Sequence, residues 1–235
     1  MSRKCLLEIS VETLEGSLAA ERGGADRIEL CADLAVGGVT PGAVLLRAVR
    51  TQVRIPIFSM VRPRAGDFVY SSSEFAEMKH SIVDAKGSGA NGVVLGILTK
   101  DRRVDVERTL ELVELAKPLP VTYHRAFDDV ADLRQALEDV IKTDARRILT
   151  SGGAKGALAG AVTLAELIST ARDRIIIVPG AGINAANISL VAKQTGAREF
   201  HSGLGSALPY GSGDHERFES EVRKLAQQLV TISSR

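Results

Sequence analysis

Glu8 and Glu29 each sit inside a short, largely apolar run, Cys5–Val11 and Arg27–Leu30. A carboxylate buried there without a partner is costly, so each needs a counter-charge or a reaction to perform. Other apolar runs end on Arg62, on His124-Arg125 and on His201. Residues of these types can do general acid–base chemistry. Glu8 or Glu29 would act as base, Arg62 and Arg125 would hold an anionic substrate, and His124 would shuttle protons. The same residues also read as a buried Glu–Arg network with no reaction attached. Arg62 and Arg125 are the expected counter-charges in either case. His201 alone reads as a satisfied histidine near the core.

Alternation along a strand places Glu8, Ser10 and Glu12 on one face, Glu29 with Cys31, and Met60 with Arg62. His124 and Arg125 are neighbours and face opposite ways unless the strand has already ended. Three glycine-rich turns follow later runs: Ser151-Gly152-Gly153, Pro179-Gly180-Ala181-Gly182 and Ser202-Gly203-Leu204-Gly205. Backbone N–H groups of Gly152, Gly153, Gly180, Gly182 and Gly203 are candidates to cradle a phosphate or another small anion. The loop Arg62–Tyr70 reads either as a lid or as a rigid packing loop. No lysine stands at a strand end, which argues against a Schiff-base aldolase.

These residues must be carried by elements that bring strand ends together. Strand-like runs are expected at Cys5–Val11, Arg27–Leu30, Ile55–Val61, Gly92–Leu95, Val121–His124, Arg147–Thr150, Ile175–Val178 and Glu199–His201. Helical stretches alternate with them. Thr40-Pro41 predicts one helix start, Ser71 with Glu74 a capping box, and Asn184 a third cap. Gly24, Gly89 and Gly196 close helices just before strands, with Asp144 in the matching place. Eight strands in alternation with helices predict a TIM-type (β/α)8 barrel, a single domain over 1–235. An open doubly wound sheet is the alternative, but no G-x-G-x-x-G follows the first strand.

Composition narrows the partners. The chain has 235 residues, with 30 Lys+Arg against 29 Asp+Glu and a net charge of +1, so no nucleic-acid partner is expected. No run approaches the ~18 apolar residues of a membrane span. The first residues reach Glu8 too soon for a signal-peptide core, and two cysteines make no disulfide framework. A cytoplasmic protein without a membrane partner is expected, and whether it forms a homo-oligomer is open. Cys5 and Cys31 fall at opposite ends of neighbouring strands, roughly 15–20 Å apart, which precludes a disulfide or a shared metal. Cys31 with Met60 is the only soft pair suited to copper(I), but Cys31 reads more readily as an ordinary small buried hydrophobe.

The ordered motifs Gly23-Gly24-Ala25-Asp26-Arg27-Ile28-Glu29-Leu30-Cys31, Gly37-Gly38-Val39-Thr40-Pro41, Arg62–Ser71, His124-Arg125-Ala126-Phe127-Asp128, Leu149–Gly153 and Pro179–Ile183 resemble the CutC family. The likeness runs from Leu7 to about His201. It implies a TIM-type barrel, a cytoplasmic location, and a copper-homeostasis role with Cu(I) binding. It implies no particular reaction. Some members carry cysteine where this chain has Ser10 and Ser202, so a Cu(I) site here would keep only Cys31 and be weakened. The sequence thus offers two functions: a copper-homeostasis protein, or a barrel lyase or isomerase acting on a small anionic or phosphorylated substrate. A binding protein using the same pocket without turnover is a third.

Overall fold

Short β-branched runs flanked by amphipathic helices cannot bury both faces alone, and here they close on one another. The computed structural model describes residues 5–205, 208 and 211–233. The strands are β1 (Leu6–Val11), β2 (Arg27–Leu30), β3 (Ile57–Met60), β4 (Gly92–Leu95), β5 (Val121–Tyr123), β6 (Arg147–Thr150), β7 (Ile176–Pro179) and β8 (Glu199–Ser202). Between and after them run α1 (Leu14–Gly23), α2 (Ala43–Gln52), α3 (Ser72–Gly87), α4 (Val106–Ala116), α5 (Leu133–Ile141), α6 (Ala161–Ala171), α7 (Ile188–Thr195) and α8 (His215–Ser233). All ladders are parallel, in the order β7-β6-β5-β4-β3-β2-β1-β8. This is the TIM-type barrel the sequence predicts, closed except for a ladder between β7 and β8.

Local chemistry explains most boundaries. Pro56 has no N–H, so β3 begins after it rather than at Ile55. Gly24 ends α1 in the left-handed conformation at φ 93°, and Asp144 adopts φ 63° before β6. Ser71 and Glu74 form the predicted capping box at α3. Two predicted caps are corrected. Thr40 does not start α2, because its hydroxyl is engaged by the backbone N–H and C=O of Arg62. Asn184 does not cap α7; its Oδ1 accepts from Ala186 N–H, and the helix starts after Asn187.

Leu7, Ile9 and Val11 join the core between sheet and helices, so Glu8 and Ser10 turn to the barrel interior. Register then builds the interior in levels. Arg27, Gly92, Arg147 and Glu199 come from even strands, followed by Glu8, Phe58, Thr122 and Val178 from odd ones. Above them lie Glu29, Val94, Leu149 and His201. The floor is therefore ionic. Arg27 pairs with Glu8 and, at 2.9 Å, with Glu199, which also takes Arg147 at 2.8 Å. The Phe58 ring lies 4.7 Å from the Arg27 guanidinium and 5.4 Å from that of Arg147. Gly92 makes room for that ring, since a Cβ there would come within 2.5 Å of Phe58 Cζ.

Candidate functional site

Above the ionic floor, at the ends of the strands, opens a cavity of about 420 Å³. Its lining includes Ser10, Glu29, Met60, Arg62, Phe68, His124, Arg125, Ala181, Gly182, His201 and Gly203. Most of the sequence candidates meet here. Glu8 does not; it lies one level below, beneath His201.

His201 joins the two carboxylates. Its Nδ1 is 2.8 Å from Glu8 Oε1, and its Nε2 is 3.8 Å from Glu29 Oε2. Burial alone would raise the Glu8 pKa, but Arg27 and His201 outweigh it and hold the group down at about 2. Glu29 moves the other way, raised chiefly by burial, and its Oε1 has no partner. Burial disfavours the His201 cation, yet the carboxylates of Glu29 and Glu8 overcome this and raise its pKa. Two carboxylates and an imidazole thus form a chain whose members titrate apart. The expectation that Arg62 and Arg125 neutralise Glu8 and Glu29 is corrected: Arg27 and His201 do so, because register sets Arg27 beside Glu8. His201 is buried and satisfied by Glu8, as a histidine near the core should be, and it also lines the cavity.

His124 is a second, different histidine. The strand ends at Tyr123, so His124 caps the short 3₁₀ turn Arg125–Asp129, and both His124 and Arg125 line the cavity. Its Nδ1 accepts from Ala126 N–H at 3.2 Å. Burial, and then the Arg62 charge, push its pKa down to about 3, so the ring is neutral near pH 7. The remaining ring hydrogen therefore sits on Nε2, which has no partner in the protein. The neutral ring thus presents an N–H donor at Nε2. Gly96 fixes the ring's place, since a Cβ there would lie 2.5 Å from its Nδ1.

Arg62 braces the rim. Its Nη1 donates to Val36 O and Gly38 O, its Nη2 to Gly66 O, and only Nε is without a partner. The guanidinium also lies 4.9 Å from the Phe68 ring centroid. Arg64 ties the same loop to Asp67, Val69 and Glu74, which makes it a braced loop rather than a lid. Arg125 is half-exposed and pairs with Asp128 at 2.9 Å.

The glycine turns divide. Gly152 N–H donates to Thr150 Oγ1, Gly153 N–H to Asp128 Oδ1, and Gly180 N–H to Thr150 O. These three are corrected as anion cradles, because the protein itself supplies their acceptors. Gly182 and Gly203 line the cavity, and among the described residues their N–H groups meet no protein acceptor.

Fold and site together define a parallel barrel with a small-molecule-sized cavity at its carboxyl-terminal mouth, floored by a carboxylate–histidine–carboxylate chain. The CutC family profile matches residues 5–206, and the chain belongs to that family. It is 46% identical to the copper homeostasis protein cutC homolog of Mus musculus over 88% of this chain and 76% of that one. A candidate copper homeostasis protein CutC from Streptococcus agalactiae superposes with a TM-score of 0.80 at 29% identity, covering 85% of this chain and 98% of that one. Thiamine phosphate pyrophosphorylase from Pyrococcus furiosus shares the fold alone, at a TM-score of 0.63 and 18% identity over 97% and 98% of the two chains.

The copper link poses a test of donor chemistry. Ligand atoms of Glu8, Glu29 and His201 lie within 4.8 Å of one another and could hold a metal ion. Carboxylates and imidazole are not the soft donors that Cu(I) prefers. Cys31, the nearby thiol, is fully buried outside the cavity lining, and its Sγ is 3.6 Å from Glu29 Oε2. Burial, reinforced by Glu29, pushes that thiol's pKa well up, so it stays protonated. The Ser202 hydroxyl is engaged by Ile183 O and Leu204 N–H. Met60, the other soft donor, packs with Cys31 in one buried cluster, so a Cu(I) site here would rest on a single thiol and a thioether beside hard carboxylate and imidazole donors, a weak match to that ion.

Proposed function

We propose that this CutC-family barrel is an acid–base enzyme, a lyase or isomerase, acting on a small anionic molecule held in the cavity. The observation that carries the proposal is the split between two buried carboxylates joined through one histidine. Glu8 is held ionised, while Glu29 is pushed toward its protonated form and keeps an unpartnered oxygen. A carboxyl whose pKa is raised toward neutrality suits proton transfer to and from carbon. In this reading Glu29 Oε1 takes the proton and returns it, and cationic His201, anchored by Glu8, stabilises the deprotonated carboxylate. His124 Nε2–H donates to the oxygen on which negative charge develops, a role that needs the neutral ring. Arg62 and Arg125 supply positive charge at the rim. A cytoplasmic setting belongs to the same proposal; no helix of the described residues is long and apolar enough to cross a membrane.

A second reading, copper handling, draws on the names of the relatives and on the Glu8–Glu29–His201 cluster. Its Cu(I) form rests on Cys31. One paired experiment separates the two. Wild type and Glu29→Gln are incubated in D₂O with small sugar phosphates and 2-oxo acids, and exchange at carbon is followed by NMR. Wild type should exchange at least one compound, and the folded variant should lose that exchange by about 10²-fold or more. In parallel, reduced wild type and Cys31→Ser compete for Cu(I) against a chromogenic chelator, and both should compete equally poorly. Stoichiometric Cu(I) lost only in Cys31→Ser, with no exchange by wild type, reverses the order of the two readings.

A further inference from the structure

The turns that follow β6, β7 and β8 are all glycine-rich, but among the described residues only the first contains its own anion. After β6, the Asp128 carboxylate accepts from Thr150 Oγ1 at 2.5 Å and from Ser151 and Gly153 N–H at 3.0 Å each. The chain thus supplies, from the loop after β5, the negative group that this turn would otherwise offer to a ligand. Among the described residues, the turns after β7 and β8 hold no such group. Among the described residues, the N–H groups of Ala181, Gly182, Ile183 and Gly203 donate to no protein acceptor, and all four residues line the cavity. Clustered N–H groups of this kind form an anion site.

A second observation points to a ligand in the same place. His124 is only 4% exposed, lines the same cavity and leaves its Nε2 without a partner, and the buried Arg62 guanidinium lines the cavity beside it. Resting on the acid–base reading above, we propose that the ligand is a small phosphate monoester whose phosphate oxygens bind the N–H groups of Ala181–Ile183 and Gly203. Donors from two turns suit the several oxygens of a tetrahedral phosphate better than the two of a carboxylate. The rest of the ligand extends toward Glu29 and His124, and the cavity volume of about 420 Å³ limits it to a few carbons.

Gly182 allows a test by charge alone. It has φ +70° and no atom within 4 Å of an added Cβ. Asn and Asp are the side chains that best tolerate this backbone conformation, so Gly182→Asn and Gly182→Asp differ essentially by one negative charge. Inorganic phosphate is titrated into each protein and followed by ³¹P NMR line width and by thermal unfolding. Wild type should bind saturably, Gly182→Asn within about threefold of it, and Gly182→Asp at least about tenfold more weakly. Glu29→Gln should bind phosphate like wild type. No saturable binding by wild type, or equal binding by the Asn and Asp variants, overturns the proposal. A loss in Glu29→Gln as large as in Gly182→Asp also overturns it, by placing the anion on the floor instead. Phosphate binding as predicted without any exchange at carbon leaves this site standing and removes the acid–base reading alone.

Discussion

Glu8→Gln should cost about 3–5 kcal/mol of stability, a large share of the 5–15 kcal/mol typical of a folded domain. The carboxylate is fully buried and pairs with Arg27 and with His201 Nδ1. Neutralising it leaves a buried guanidinium sharing Glu199 with Arg147, and removes the anchor beneath His201. Glu29→Gln should behave differently. Its carboxyl is destabilised by burial and leaves Oε1 without a partner, so an uncharged amide costs little there or is stabilising. Urea unfolding of both variants at pH 7 checks this. Equal losses in the two would mean that the floor and the cavity do not divide the carboxylates as described.

The second large effect is on the acid side of the stability curve. His124 has a folded pKa of about 3 against an ordinary value of 6.5. Between these values the unfolded chain carries the extra proton, so stability rises with pH and is lost as pH falls through this window. By pH 4.5 the loss due to His124 should reach roughly 2–3 kcal/mol. Glu8 adds its own acid loss only below its ordinary pKa of 4.5, toward its folded value of about 2. His201 has the opposite sign: its contribution is complete below 6.5 and disappears as pH rises through its raised folded pKa. Glu29, also raised, gains stability as pH falls and partly offsets His124. Comparison of wild type with His124→Gln at pH 7 and pH 4.5 isolates the His124 contribution, because Glu29 and His201 are common to both. The gap between the two proteins should move in favour of the variant at the lower pH. A gap that does not change with pH would contradict a buried, neutral His124.

Much of the barrel was legible because its signals are local. Apolar runs bounded by turn residues located every strand to within two residues at either end, and Ser71 with Glu74 announced α3. Thr40 misled because a hydroxyl followed by proline looks like a cap, whereas the residue is held by Arg62 from another loop. The site was legible in part for a similar reason. Glu8 and Glu29 stand out chemically inside apolar strands, and Glu29 shares a face with Cys31, as alternation requires. Arg27 was hidden by its position. It opens β2 beside Asp26 and looks like the end of a turn, although it lies two residues from Glu29 and so faces the same way. Glu199 reaches it from β8 and Arg147 pairs with that same carboxylate from β6, and only the closed register brings the three together. Arg62 and Arg125 stand at the rim and so look like the counter-charges, but their partners are backbone carbonyls and Asp128. The same long-range packing separates the three glycine turns: nothing local marks Asp128 as the acceptor for the one after β6.

The central claim is that His201 is held as a cation between Glu8 and Glu29 while His124 is a neutral Nε2–H donor. It is tested most directly by a histidine-resolved ¹H–¹⁵N NMR titration of the four histidines in wild type and in Glu29→Gln. His201 should remain protonated above its ordinary pKa in wild type and titrate lower in the variant. His124 should show the Nε2–H tautomer without titrating from neutrality down to about pH 4. A His201 that titrates at or below 6.5 and ignores Glu29→Gln, or a His124 that protonates near 6.5, would contradict the account.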